Sequence, residues 1–402
     1  MARILEKLRN LGPGALITAA FIGPGTVTTC IVAGISTGTE LLWALTFATI
    51  ATIILQDMAA RVGIVTKLSL EQLIIKRVTN PTVKVVVIIM LLLAIVLGNT
   101  AYEAGNITGT ILGINILTRG GSDMLSLVIM ASVIGLAAFY LLWMDSFARL
   151  QNILIGCVIL MSLTFFISAY FVKPNFSDIL LHTIKVKVPQ GAFLTAASLI
   201  GTTIVPYNLF LHSYFAKSKW NDAKDLSEAR LDTIVSVALG GLISMSIMVV
   251  AASCVGKQVS IMQIATILDS NVGSWSPVFI GLGLTAAGIT SAITAPLAAG
   301  IVAKGIFDKD DRPTNTQRWV WLMVIGFGVL FSSLGYSPIY LIKIAQVANA
   351  IVLPFAVGFL LYAANSKKYM LSYKNTALSN FAGTVVFLVA TFLGTKALYL
   401  LI

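Results

Sequence analysis

Phe21-Ile22-Gly23-Pro24-Gly25-Thr26-Val27-Thr28-Thr29 sits in the middle of an apolar stretch, 12–34. A helix needs about 20 apolar residues to cross the core of a bilayer, and this stretch supplies them. The Gly-Pro-Gly run removes a backbone donor and adds two permissive positions, so a helix through it opens at its centre. The stretch is too long for the apolar core of a cleaved signal peptide, and a further apolar span follows it. A second interruption reads Gly201-Thr202-Thr203-Ile204-Val205-Pro206-Tyr207-Asn208. Here Pro206 lies mid-span among hydroxyl and amide side chains of the kind that satisfy freed backbone groups.

Composition sets the solvent around these breaks. The 402 residues are 57% hydrophobic and 11% charged, where a soluble domain carries about 25% charged residues. With a mean hydropathy of +0.93, the apolar surface exceeds what soluble cores can bury, so lipid must solvate it. A soluble enzyme, a secreted disulfide scaffold, a DNA-binding domain and a disordered chain are all excluded. Cys30, Cys157 and Cys254 are isolated in apolar stretches and indicate neither a disulfide framework nor a zinc site.

The predicted fold is an all-α integral membrane protein of eleven spans. These are roughly 12–34, 41–63, 83–113, 124–143, 150–172, 192–215, 231–255, 277–305, 319–336, 340–363 and 378–401. The broken spans are the first and sixth, matching positions if ten helices form two halves of five. Paired Gly/Pro-interrupted spans point to the midplane site of an inverted-repeat transporter. Ordinary proline kinks are the plainer reading, outweighed by the matched positions. The single domain then divides into a first repeat over 12–172, a second over 192–363 and an extra helix over 378–401.

The net charge of +11 is a topology signal, because cytoplasmic loops hold the excess Lys and Arg. With the N-terminus inside, twenty of the 27 basic residues fall on the inner side, among them Arg61, Lys76, Arg77, Lys217, Lys304 and Lys367. The expectation is a cytoplasmic N-terminus, an outer C-terminus, the cytoplasmic membrane of a prokaryote and no nucleic-acid partner.

Residues along nearly the whole chain resemble the NRAMP family of divalent-metal transporters. Ala33-Gly34, Leu41-Leu42-Trp43 and Gln56 with Ala60-Arg61-Val62-Gly63-Ile64-Val65-Thr66 are similar to its first two helices. Pro206 with Asn208-Leu209-Phe210-Leu211-His212-Ser213 resembles its sixth. Gly288, Ser291 and Ala298 through Gly305 resemble its eighth, and Gln346 with Leu353-Pro354-Phe355 its tenth. The resemblance implies a leucine-transporter-type fold working by alternating access, with proton-coupled import of manganese or iron in typical members.

The family's metal ligands are replaced. Its first-helix Asp-Pro-Gly-Asn reads Gly23-Pro24-Gly25-Thr26, and its sixth-helix Met-Pro-His reads Val205-Pro206-Tyr207. Thioether and imidazole are the softer donors that select transition metals, and the carboxylate would offset a dication's dehydration. What remains as the substrate-binding set is Gly23, Thr26, Thr202, Thr203, Val205, Tyr207, Asn208 and Gln346, with unwound carbonyls, and none is charged. Burying a stripped dication in a neutral midplane site is costly, so a dehydrated transition metal is not the expected substrate. Two readings stay open: a cation that keeps its water, as magnesium does, and a small anion such as bicarbonate, welcomed by half-helix N-termini and slightly preferred because no carboxylate opposes its entry.

The coupling route changes as well. The family's third-helix Asp-x-x-Glu pair falls on Asn99 and Tyr102, with Glu103 one residue later and about 100° round the helix. Glu103 and His212 are coupling candidates, as intramembrane ionisable groups usually are, and a co-transported proton or other ion is the expected partner beside the substrate and the bilayer. Plain packing or pairing is the competing account of both. Asp57 and Asp232 read as pairing or capping groups near Arg61 and Arg230, and Asp308, Lys309, Asp310, Asp311 and Arg312 as a solvated loop. No cofactor, resident metal or catalytic arrangement is indicated. A non-transporting membrane sensor is the competing class, weakened because no loop is long enough to be an output domain.

Overall fold

The computed structural model describes residues 12–121, 123–144, 147–255, 276–308, 314–336 and 338–399. Lys309–Arg312, part of the expected solvated loop, lie outside them.

The first break forms where the glycines and proline place it. Helix α1 (Pro13–Phe21) stops at Ile22, and α2 (Pro24–Thr37) restarts with Pro24 in its first turn, where a missing N–H costs nothing. The two meet at a 55° bend. The start of α1 is capped from a distance: Asp232 carboxylate oxygens accept from the Gly12 and Gly14 amides at 2.9 and 2.8 Å.

Helix α3 (Leu42–Thr66) follows, then the short α4 (Leu70–Arg77), nucleated by a capping box between Ser69 and Gln72. The third span is longer than its sequence suggested. It begins as α5 (Pro81–Leu91), widens through one π turn (Leu92–Leu97), and continues as α6 (Gly98–Thr118). Next come α7 (Met124–Trp143), α8 (Phe147–Phe171) and the short α9 (Phe176–Ile184). The second break separates α10 (Phe193–Thr203) from α11 (Pro206–Lys219). The chain closes with α12 (Leu226–Ala252), α13 (Ser276–Phe307), α14 (Asn315–Ser333), α15 (Pro338–Ala364), α16 (Lys367–Met370) and α17 (Ala377–Tyr399).

Helices therefore occupy all the predicted places. By length and apolar composition, eight qualify as spans, or up to ten if each bent pair counts as one. Helix α14 is not among them, because Asn315, Gln317 and Arg318 dilute its first turn. The short helices α4 and α9 were absent from the sequence reading, which weighed only long apolar runs.

Packing keeps both breaks central. Helices α1 and α2 lie on α12, α10 and α11 lie on α3, and α6 packs along α13. Small residues make these approaches possible, as expected between helices that share no water to expel. A Cβ at Gly63 would collide with the Ser213 carbonyl, and one at Gly288 with the Thr110 hydroxyl and amide. Asp57 pairs with Arg230 at 2.8 Å and with Arg61 at 3.9 Å, and the Arg61 guanidinium also donates to Asn375 at 2.8 Å. The pairing and capping expected of Asp57 and Asp232 are what their contacts show.

Candidate functional site

Breaking two helices frees carbonyls at the ends of α1 and α10, and a buried carbonyl without a partner is expensive. Side chains from other elements take them up. The Tyr207 hydroxyl donates to Ala20 O at 2.9 Å, and the Thr26 hydroxyl to Phe21 O at 2.7 Å. Thr26 Oγ1 also lies 3.1 Å from Thr202 Oγ1 and 3.3 Å from Thr202 O, tying one break to the other. Asn349 Nδ2 donates to Gly201 O, and Thr52 Oγ1 to Thr203 O at 3.4 Å. The unwound carbonyls counted as free ligands in the sequence reading are thus largely engaged by hydroxyls and amides.

Between the breaks lies a small cavity, with room for about one water-sized body, lined by Gly23, Gly25, Thr26, Tyr102, Asn106, Thr202, Val205, Tyr207, Ser291 and Gln346, with apolar neighbours. The Tyr102 and Tyr207 rings meet edge to face at 6.1 Å, and the Tyr102 hydroxyl donates to Gln346 Oε1 at 3.4 Å. Among the described residues, no charged side chain is on that wall. Among the described residues, no group of three or more His, Cys, Asp or Glu could hold a metal ion.

Of the predicted substrate-binding set, Gly23, Thr26, Thr202, Val205, Tyr207 and Gln346 meet at this cavity, and Tyr102 joins them from the coupling set. Thr203 and Asn208 do not. Thr203 Oγ1 returns to Leu199 O at 2.9 Å, and Asn208 Nδ2 reaches Ile17 O at 3.5 Å, so both brace the breaks from behind. Asn99 is also off this wall; it lines a smaller neighbouring chamber with Tyr102, Tyr207 and Asn349.

Glu103 is fully buried on an adjacent face of α6, where a Cβ at Gly328 of α14 would strike its Cγ. Its Oε2 accepts from Asn106 Nδ2 at 3.3 Å while Oε1 has no protein partner. Asn106, one helical turn on, is the residue that reaches the cavity, so the carboxylate touches it at one remove. His212 lies further along α11, fully buried, with Nδ1 3.0 Å from Gln56 Oε1 and Nε2 without a protein partner.

Ser291 was quoted for its family resemblance but not as a site residue. Its buried Oγ has no protein partner and lies 2.6 Å from where a Cβ on Gly23 would stand. That hydroxyl sits where a side chain at position 23 would begin. Asn106 and Asn349 were missed too, since a lone amide inside a Gly/Thr-rich helix carries no motif.

An all-helical membrane domain with two central unwound helices around a polar cavity is the leucine-transporter-type architecture. The chain superposes on the crystal structure of a mutant manganese transporter from Eremococcus coleocola with a TM-score of 0.79, at 20% identity, over 97% of this chain and 86% of that one. The structure of MhsT in complex with L-phenylalanine matches with a TM-score of 0.64, at 14% identity, over 97% and 98% of the two chains. Residues 14–400 match the Nramp family profile, natural resistance-associated macrophage protein-like, and the chain belongs to that family. A divalent metal cation transporter, MntH, of Caldanaerobacter subterraneus subsp. tengcongensis is 24% identical over 98% of this chain and 93% of its own length. The protein is accordingly a multi-pass membrane transporter and not an enzyme.

Proposed function

We propose that the protein carries a small inorganic ion by alternating access through the cavity between the two breaks, and that the ion is a divalent cation retaining much of its water. The observation carrying this reading is the uncharged wall of hydroxyls and amides: Thr26, Thr202, Tyr207, Ser291, Asn106 and Gln346. Such groups suit a hydrated hard cation like magnesium, which sheds water reluctantly and whose bound waters donate hydrogen bonds to hydroxyl and amide oxygens. A naked manganese or iron ion would need softer or charged donors there. Relatives named as divalent metal cation transporters tilt the choice towards a dication. A small anion such as bicarbonate is the second reading. It is favoured by one feature: no carboxylate guards the wall, while Ser291 Oγ and Gln346 supply donors.

In this reading Thr26, Thr202 and Tyr207 hold the breaks in register, and Gln346 and Ser291 face the substrate. Glu103, through Asn106, is the group that couples transport to a proton, with His212 and Gln56 as a second relay point. The first repeat covers 12–172, the second 192–363, and the helix over 378–401 lies outside both. In this reading the excess of Lys and Arg in the inner loops supports a cytoplasmic N-terminus and an outer C-terminus, in the cytoplasmic membrane.

The test is uptake into proteoliposomes, comparing magnesium, manganese and bicarbonate with and without a pH gradient. Saturable magnesium uptake with weak manganese uptake is the expected result. Manganese uptake saturating at micromolar levels would overturn the hydrated-cation reading, and bicarbonate uptake alone would establish the anion. Failure of all three would leave the non-transporting sensor.

A further inference from the structure

Behind the Tyr102–Tyr207 pair lies a second chamber, formed where the π turn hands over to α6, at the start of α11 and on the inner face of α15. Its amide residues are Asn99 and Asn349, both 2% exposed, beside the Tyr102 and Tyr207 rings. It has space for about one water-sized body.

Asn349 Nδ2 is committed to Gly201 O, which leaves Oδ1 as the free end of that amide, and Oδ1 has no protein partner. Asn99 Nδ2 has none either, and a carboxamide turns end over end to present its oxygen as readily as its nitrogen. Two orphaned buried amides facing one small space are costly unless something fills their hydrogen-bonding or ligating capacity. We propose that this chamber is a second ion site, taking one dehydrated monovalent cation on the amide oxygens of Asn349 and Asn99.

The sign of the charge follows from the surroundings. The fixed polar group is an acceptor. The Tyr102 and Tyr207 rings border the space, and aromatic faces attract cations. At the mouth of α11 the chamber meets Pro206, which has no N–H to offer an anion. The magnitude of the charge follows from the neutral walls. Desolvation grows with the square of the charge, and no carboxylate lines the chamber to offset a dication. Carbonyl-type oxygens alone are sufficient ligands for a monovalent cation, as in potassium filters.

Tyr102 links the chamber to the central cavity, since its ring borders both and its hydroxyl bonds Gln346. A cation in the chamber therefore leans on the wall of the substrate route. That coupling rests on the proposed function; binding in the chamber does not, so the test reads binding.

Purified full-length protein in detergent is melted in choline chloride, and then with sodium or potassium chloride replacing choline at constant ionic strength. The expected result is a saturable rise of several degrees with one of the two ions. Asn349→Leu and Asn99→Leu should each remove the rise, whereas Ser291→Ala, on the central cavity, should keep it. If Asn349→Leu fails to fold, Asn99→Leu carries the comparison. Melting that does not distinguish either ion from choline would mean that the chamber holds water only and would overturn the proposal. An ion-dependent rise that survives both amide substitutions would overturn it too. Inactivity towards every tested substrate would sink the transport reading while leaving this result readable.

Discussion

Ser291 Oγ stands 2.6 Å from the point where a side chain on Gly23 would begin. The first-helix carboxylate that the family resemblance implies would grow from that point, where the Ser291 hydroxyl now stands in close approach. Gly23→Asp alone should therefore lose about 1 kcal/mol of stability, since the Ser291 hydroxyl must rotate aside. Adding Ser291→Ala should restore most of the melting temperature. The double variant, and not the single one, should gain measurable manganese binding by titration calorimetry; equal stability of the two would show that Ser291 does not hold that space.

Thr26 joins the two breaks through one hydroxyl, donating to Phe21 O and touching Thr202. Thr26→Val keeps the shape and removes the donor, leaving a buried carbonyl unpaired at a cost of about 1–3 kcal/mol. Uptake should fall along with thermal stability. A valine variant with unchanged melting and transport would show that the breaks are held by other contacts.

Glu71 lies on α4, outside the spans, fully buried, with its carboxylate against the Ser69 hydroxyl and Oε2 unpartnered. Burial pushes its pKa up from 4.5 to about 7, against weaker opposite pulls from Ser69 and Lys217. A folded-state value above the unfolded one means that the group's stabilising effect is complete below about pH 4.5. That contribution is lost as pH rises to about 7, at up to roughly 1.4 kcal/mol per pH unit. Glu71→Gln should flatten the melting profile across this window and raise stability at pH 8. A slope unchanged by the substitution would remove Glu71 from the account.

Glu103 meets the cavity only through Asn106. Glu103→Gln should abolish stimulation of uptake by a pH gradient while leaving uptake without a gradient within about threefold, a loss worth under 1 kcal/mol. Asn106→Leu should reproduce the loss, because it cuts the same link. Full gradient dependence in Glu103→Gln would show that protons enter elsewhere.

Much of this architecture was legible in the sequence because lipid imposes a long-range rule on local composition. Apolar runs mark helices, and a Gly-Pro-Gly or Val-Pro-Tyr interruption marks where a helix must open. The helix positions and both breaks follow from that rule, as does the neutrality of Gly23, Thr26, Val205 and Tyr207. The short helices α4 and α9 escaped it, being amphipathic or interfacial pieces without a spanning run.

Which polar groups share a wall is a different kind of fact. Thr202 and Thr203 are neighbours in the chain, yet one faces the cavity and the other braces α10 from behind. Tyr102 and Glu103 divide in the same way, towards the cavity and towards Gly328. Ser291, Asn106 and Asn349 carry no signal of their own and become partners of Gly23, Glu103 and Gly201 only when α6, α13 and α15 close around the breaks. Sequence alone determined that the helices cross lipid, where two of them break, and that the residues at the breaks are uncharged, since each depends on residues adjacent in the chain. Tertiary packing decided which hydroxyls quench the freed carbonyls and which amides stay unpaired, because a rotation of about 100° per residue separates neighbours and only helix contacts say which side is inside.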